Sequence, residues 1–260
     1  MKKIENYIHG KKISSSSNYI NVNDPSTGEK ISEVVMSDDN DFKNLIDSSK
    51  KSQIDWANTT PLKRSRILSK YKNLIENNLE ELAKLVSKEH GKTLEDAKGS
   101  VTRGLEVVEF SCGIPHLLKG EFSQNVGSNI DSWSVRQPLG ICAGITPFNF
   151  PAMVPMWMYP VSIACGNSFI LKPSEKDPSC SIKLAELFSE AGLPDGVFNV
   201  IQGNKEIVDL IIKSPDISSV SFVGSTPVAK YIHEESAKNL KRVQALGGAK
   251  NHLVVMPDAN

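Results

Sequence analysis

From Leu139 onward the chain alternates, at nearly constant spacing, between apolar runs of strand length and amphipathic segments of helix length. The apolar runs cover 141 to 146, 168 to 172, 197 to 202, 218 to 223 and 242 to 246, and the helical segments lie near 151 to 164, 178 to 191, 204 to 213 and 226 to 239. Strands linked by helical crossovers of this length run parallel, because a short turn cannot return a chain to the same end of a sheet. Helices then cover both faces, which explains why the runs are apolar throughout instead of alternating. The expected class is α/β, a parallel sheet with flanking helices. Ligands of such sheets sit at the carboxyl ends of the strands. That rule singles out Thr146 to Asn149, Lys172 to Lys176, Gly203, Gly224 to Thr226 and Gly247 to Gly248.

Ahead of this unit, residues 4 to 36 carry short β-type runs broken by Ser14 to Asn18 and by the turn sequence Asp24-Pro25-Ser26-Thr27-Gly28, so a small hairpin or meander is expected. Between Asp41 and about Lys119 the apolar spacing becomes helical. Leu68, Tyr71, Leu74 and Ile75 share one face, and Leu79, Leu82, Leu85 and Val86 another, which predicts several antiparallel helices. Residues 120 to 138 alternate around Trp133 and Val135 and contain Gly127-Ser128-Asn129, the pattern of a projecting hairpin. Such an arm has too little core of its own, so a second subunit is expected to cover it.

At 260 residues the chain can bury a sizeable core, and its 30 basic and 30 acidic residues cancel. Zero formal net charge gives no general attraction to nucleic acid or anionic membrane, so small molecules or like subunits are the expected partners. The four cysteines (Cys112, Cys142, Cys165 and Cys180) show no CxxC pair, and the five histidines show no ligand spacing. The cysteines are expected to be small buried apolar residues of a reduced, cytosolic protein, and no metal site is expected. The longest apolar run, Phe150 to Cys165, is interrupted by three prolines and falls short of the roughly 20 residues a membrane span needs.

Several residues at the strand ends suit chemistry, each with a plainer alternative. Asn149, between Pro147 and Pro151, is either a donor to a developing oxyanion or a turn or helix N-cap residue. Lys172 and Glu175 are either ligands of a nucleotide's ribose or a solvated pair in a proline turn. Gly224-Ser225-Thr226-Pro227 offers a helix N-terminus to a pyrophosphate or is an ordinary cap. Arg103 is a fork for a substrate carboxylate or a solvated helical arginine. GxGxxG and GxxxxGK[ST] are both absent, so a Rossmann-like nucleotide site here would use fewer backbone contacts.

In order and near the expected spacing, PFNFP at 147 to 151, LKPSE at 171 to 175, FVGS at 222 to 225 and the LGG within QALGGAKNH at 244 to 252 resemble the aldehyde dehydrogenase superfamily. The wording around them is similar to the coenzyme A acylating methylmalonate-semialdehyde dehydrogenase branch, through essentially the whole chain. The resemblance implies a cysteine thiolate that attacks an aldehyde, hydride transfer to NAD, and release of a thioester. Asn149 then stands for the oxyanion donor, Lys172 and Glu175 for the adenosine-ribose ligands with Lys176 close by, and Thr146 and Phe148 for the nicotinamide side. Gly224, Ser225 and Gly247 stand for the pyrophosphate side, and Arg103 for the holder of the substrate's carboxylate.

Two departures shape the expectation. Where hydrolytic members carry a glutamate before Leu-Gly-Gly, this chain has Ala245, whose methyl group cannot activate water. Transfer of the acyl group to coenzyme A, acting as co-substrate, fits that change. The resemblance also puts the nucleophilic cysteine some tens of residues beyond Gly247, whereas the sequence continues for 13 residues, to Asn260. The expectation is an NAD-binding domain over 1 to 248, including the hairpin near 120 to 138, and the start of a catalytic domain over 249 to 260 with a strand at His252 to Met256. A homo-oligomer, dimer or tetramer, acting on malonate or methylmalonate semialdehyde is expected for the full enzyme, and an NAD-binding, self-associating but inactive fragment for the chain as it stands.

Overall fold

The computed structural model describes residues 2–260. The amino-terminal strands are β1 (Lys2–Ile4), β2 (Asn6–Ile8), β3 (Lys11–Ile13), β4 (Tyr19–Asn23) and β5 (Lys30–Val35). Helices α1 (Asp39–Asn58), α2 (Pro61–Asn77), α3 (Leu79–His90), α4 (Leu94–Cys112) and α5 (Ile114–Leu117) follow, then the hairpin β6 (Phe122–Gly127) and β7 (Ile130–Trp133). The rest alternates: β8 (Ile141–Ile145), α6 (Met153–Met156), α7 (Tyr159–Ala164), β9 (Ser168–Lys172), α8 (Ser179–Glu190), β10 (Phe198–Val200), α9 (Lys205–Lys213), β11 (Ile217–Val223), α10 (Thr226–Lys238) and β12 (Arg242–Leu246).

The main sheet has the order β12-β11-β8-β9-β10-β2-β3, with its first five strands parallel as the alternation predicts. From β8 the chain moves outward through β9 and β10, then crosses back to lay β11 and β12 on the other side of β8. Strand order therefore reverses between β8 and β11, the place where an open sheet leaves a crevice at its carboxyl edge.

Two apolar layers sandwich this sheet. Phe169 and Leu171 of β9 face one, with Tyr71 of α2, Tyr159 of α7 and Phe188 of α8; Ile170 faces the other, with Leu45 of α1, Ile211 of α9 and Ile232 of α10. Alternate residues of one strand thus enter opposite cores, the period of two that a pleated strand imposes. Within the first layer the Tyr71 ring stacks on Phe188 at 4.0 Å, and the Tyr71 and Tyr159 hydroxyls hydrogen-bond at 2.6 Å. The two buried phenols thus serve each other as partners, and burial pushes both pKa values far above the ordinary tyrosine range.

Four details differ from the sequence expectation. The amino-terminal strands do not form one separate meander: β4, β5 and β1 make a three-stranded sheet, while β2 pairs antiparallel with β10 and carries β3 as the outer edge of the main sheet. This covers β10 and leaves an edge bearing Lys11 and Lys12, charges that discourage further strand pairing. Helix 151 to 164 is split into α6 and α7, because Pro155 and Pro160 lack N–H donors and fit only in a first helical turn. His252 to Met256 form no strand; they are exposed, and no neighbouring strand supplies the hydrogen bonds that would fix one. Finally, only Cys142 and Cys180 are buried, whereas Cys112 and Cys165 are half-buried.

The expected hairpin is present and stands clear of the body, with Phe122, Val126, Ile130 and Trp133 exposed. Among the described residues no helix is long and apolar enough to cross a membrane.

Gly166, which turns the chain from α7 into β9, has φ +93°, and a Cβ there would lie 2.8 Å from Pro138 Cγ and 3.2 Å from the Arg64 guanidinium carbon. Arg64 is itself fixed by donating from Nε to the Ala164 carbonyl at 2.8 Å. Gly166→Ala should therefore lower the unfolding free energy by about 1–3 kcal/mol, read from urea titration of the purified chain.

Candidate functional site

Parallel pairing of β8 with β9 and β11 brings three strand ends to one edge, and the residues just past them form the site. The Thr146 N–H still donates to the Lys172 carbonyl at 3.1 Å, so the two outgoing loops leave the sheet side by side. Thr146 is buried, and its hydroxyl has no hydrogen-bond partner among the described residues, an orphan that a bound polar group would satisfy.

After β9, the buried Lys172 ammonium lies 3.1 Å from Glu175 Oε2. Burial drives the Lys172 pKa down against the pull of Glu175. Burial pushes the Glu175 carboxyl upward, but the Lys172 charge and local hydrogen bonds outweigh it and hold the carboxyl below its usual range. Glu175 is therefore ionised at neutral pH and half-exposed at the crevice, a carboxylate free to accept hydroxyl hydrogen bonds. A surface pair of this kind would have both ends in solvent, which the burial of Lys172 excludes.

Phe148 is 48% exposed and carries the Lys176 ammonium over its ring at 4.5 Å. Asn149 is exposed on the same loop. It is not a helix cap: α6 starts at Met153 with Ala152 in the cap position, so of the plainer alternatives only a turn residue remains. On the other side of β8, Gly224 lies at the end of β11 and donates its N–H to the Leu246 carbonyl at 3.1 Å. Ser225 occupies the N-cap of α10 without using its side chain there, which leaves the hydroxyl and the first-turn N–H groups to an outside acceptor. Gly247 follows β12, where a Cβ would crowd Thr226 Oγ1 at 3.1 Å.

Arg103 does not face inward. It is exposed on α4, donating from Nε toward Met153 Sδ at 3.4 Å, and makes no salt bridge among the described residues. This puts a free guanidinium beside the start of α6, four residues past Asn149. Closeness of α4 to α6 rests on Gly104, since a Cβ there would lie 3.2 Å from Met153 Cα.

Four polar residues join the site that the sequence reading missed. A cavity of about 520 Å³ beside Phe148, Glu175 and Lys176 is also lined by Glu89, His90 and Asp177. Glu89 is buried and accepts from the Ser179 N–H at 2.9 Å, capping α8 from another helix. Both Asp177 carboxyl oxygens lack hydrogen-bond partners among the described residues, and burial, with Glu89 nearby, pushes this acid up to about 8. Burial also lowers the His90 pKa, and its Nδ1 has no partner among the described residues. The fourth, Lys92, donates to the Asn149 carbonyl at 2.9 Å. The available signal was Glu89 standing three residues after Val86 on an otherwise apolar helical stripe. None of the four thiols suits nucleophilic attack, since burial raises each above its ordinary value.

Residues 12–260 match the aldehyde dehydrogenase family model. The malonate-semialdehyde dehydrogenase of Pseudomonas aeruginosa is 54% identical over 257 residues, which are 99% of this chain and 52% of that protein. The acylating mitochondrial methylmalonate-semialdehyde dehydrogenase of Arabidopsis thaliana is 48% identical over 99% of this chain and 43% of its own length. A Sinorhizobium meliloti 1021 protein assigned as a methylmalonate-semialdehyde dehydrogenase, solved in complex with NAD, has a TM-score of 0.96 at 52% identity, covering 99% of this chain and 53% of that one. The chain spans about half the length of the curated relatives it matches.

The Asp177 acid has a measurable consequence. Its folded pKa of about 8 exceeds the ordinary value near 4, so only the native state holds this proton between those limits, and stability falls as pH rises through that window. Asp177→Asn should match wild type in thermal midpoint near pH 4 and exceed it at pH 8.5. Parallel decline of the two proteins would contradict the assignment.

Proposed function

The chain belongs to the aldehyde dehydrogenase family, and from that premise we propose that it forms the NAD-binding part of a cytosolic malonate- or methylmalonate-semialdehyde dehydrogenase that passes its acyl group to coenzyme A. The observation that carries the nucleotide half is the Lys172–Glu175 pair at 3.1 Å, one partner buried and the other an ionised carboxylate at the carboxyl edge of the parallel sheet, one strand from where strand order reverses.

In this reading Glu175 and Lys172 hold the adenosine ribose, with Lys176 beside them. Gly224 and Ser225, with the start of α10 and the turn at Gly247, receive the pyrophosphate. Thr146, with its unpartnered hydroxyl, and Phe148 face the nicotinamide. NAD, when bound, supplies the hydride acceptor. The residues of this chain do the remaining work: the Asn149 amide donates to the oxygen that gains negative charge when a thiolate adds to the aldehyde, and Arg103 offers a two-pronged partner for the substrate's carboxylate. The thiolate itself is assigned to the part of such enzymes that these residues do not cover, residues 249–260 being its first segment.

Ala245 supports acyl transfer over hydrolysis. It lies on β12 directly before Leu246-Gly247, and its methyl group cannot activate water. The exposed hairpin β6–β7 supports a homo-oligomer in which a second copy covers the arm.

Two measurements test the proposal. Removing the Glu175 charge by Glu175→Gln should weaken NAD binding to the chain roughly tenfold to a hundredfold in calorimetric titration; unchanged affinity would refute the ribose assignment. The protein that carries this chain, assayed with either semialdehyde and NAD, should form product at full rate only when coenzyme A is present. Equal rates without it would support hydrolysis instead.

A further inference from the structure

We propose that Lys92 is the positioning residue for Asn149, holding the oxyanion donor in register through its backbone; this rests on the reading of Asn149 given above.

The loop Thr146–Pro151 has little to hold it. Pro147 and Pro151 contribute no N–H, and the residue before each is restricted to extended backbone, so the segment cannot fold back into a helix of its own. Two cations from different parts of the chain clamp it instead. Lys176 covers the Phe148 ring at 4.5 Å, and Lys92 covers the Phe150 ring at 4.2 Å while donating to the Asn149 carbonyl at 2.9 Å. Asn149 lies between the two clamped rings. Its amide therefore inherits its direction from a peptide fixed on both sides.

Lys92 is itself held in place. Gly91, with φ +85°, ends α3, and Thr93 caps α4 by accepting the Asp96 N–H at 3.2 Å, so Lys92 is the single residue between two capped helices. Ser87 Oγ fixes its carbonyl at 2.8 Å. The ammonium forms no ion pair within 4 Å among the described residues, although acidic Asp96 and Asp177 lie in the neighbourhood. Its directed contacts are the carbonyl and the ring, an arrangement suited to fixing a loop and poorly suited to a surface ion pair.

The test uses an isotope-labelled chain and the active enzyme that carries it. The Asn149 side-chain amide signal, identified by its loss in Asn149→Ala, should be sharp in wild type, broadened or shifted toward the unfolded position in Lys92→Met, and restored in Lys92→Arg. In turnover, Lys92→Met should lower kcat about tenfold to a hundredfold, with KM for the semialdehyde and NAD affinity within about twofold of wild type. Added to Asn149→Ala, it should cost little more, because both act through one group. An unchanged amide signal, or a Lys92→Met loss that multiplies in full on Asn149→Ala, overturns the proposal. If Asn149→Ala alone leaves kcat intact, the oxyanion reading fails, and the amide signal still decides whether Lys92 holds the loop.

Discussion

Pairing of β8 with a parallel neighbour on each side is the constraint on which the rest of the molecule depends. A parallel ladder collects carboxyl ends on one edge, so residues 146, 172 and 224, far apart in sequence, leave the sheet within a few strand spacings of one another. β8 is buried along its whole length, and Gly144 within it accepts the Phe169 ring and Met158 sulfur so closely that a Cβ would meet them at 2.7 and 3.0 Å. The same close packing that stabilises the strand leaves its outgoing loop short of partners. Polar support for that loop comes from elsewhere in the chain.

That division of labour explains the placing of charge. The sheet supplies direction, while the α3–α4 junction, α4 and the loop after β9 supply Lys92, Arg103 and Lys176, each extending toward the 146–153 segment. Behind them lie Glu89 and Asp177, two acids shielded from solvent; burial raises both pKa values, that of Asp177 to about 8. Glu175 shifts the other way, held below its usual range by Lys172.

Much of this was readable from the residues, for identifiable reasons. Parallel strands buried on both faces appear as continuous apolar runs, so β8, β9, β11 and β12 fall within a residue or so of their expected limits. β10 proved shorter because the Gln202 N–H turns to the Asn6 side chain, a partner nearly two hundred residues away in sequence. That same distance hid the recruitment of β2 and β3 to the main sheet, since local pattern says that a strand exists and not what it pairs with. Strand-end position and residue type were enough to pick out Asn149, Lys172, Glu175 and Ser225 as candidates, and the structure brings them to one edge of the sheet. Lys92, His90 and Asp177 were invisible because they meet the rest of the site through contacts across the fold, which local pattern does not report.

The distribution of the three tryptophans gives the fold its own optical reporters. Trp56 is 1% exposed, with its indole N–H on the Ile163 carbonyl at 2.9 Å; Trp133 is 71% exposed on the arm, and Trp157 is 43% exposed at the end of α6. An indole in an apolar interior emits at shorter wavelength than one in water. Unfolding therefore moves the Trp56 emission to the red, whereas covering the arm moves that of Trp133 to the blue. Folding and association carry opposite spectral signs in the same chain.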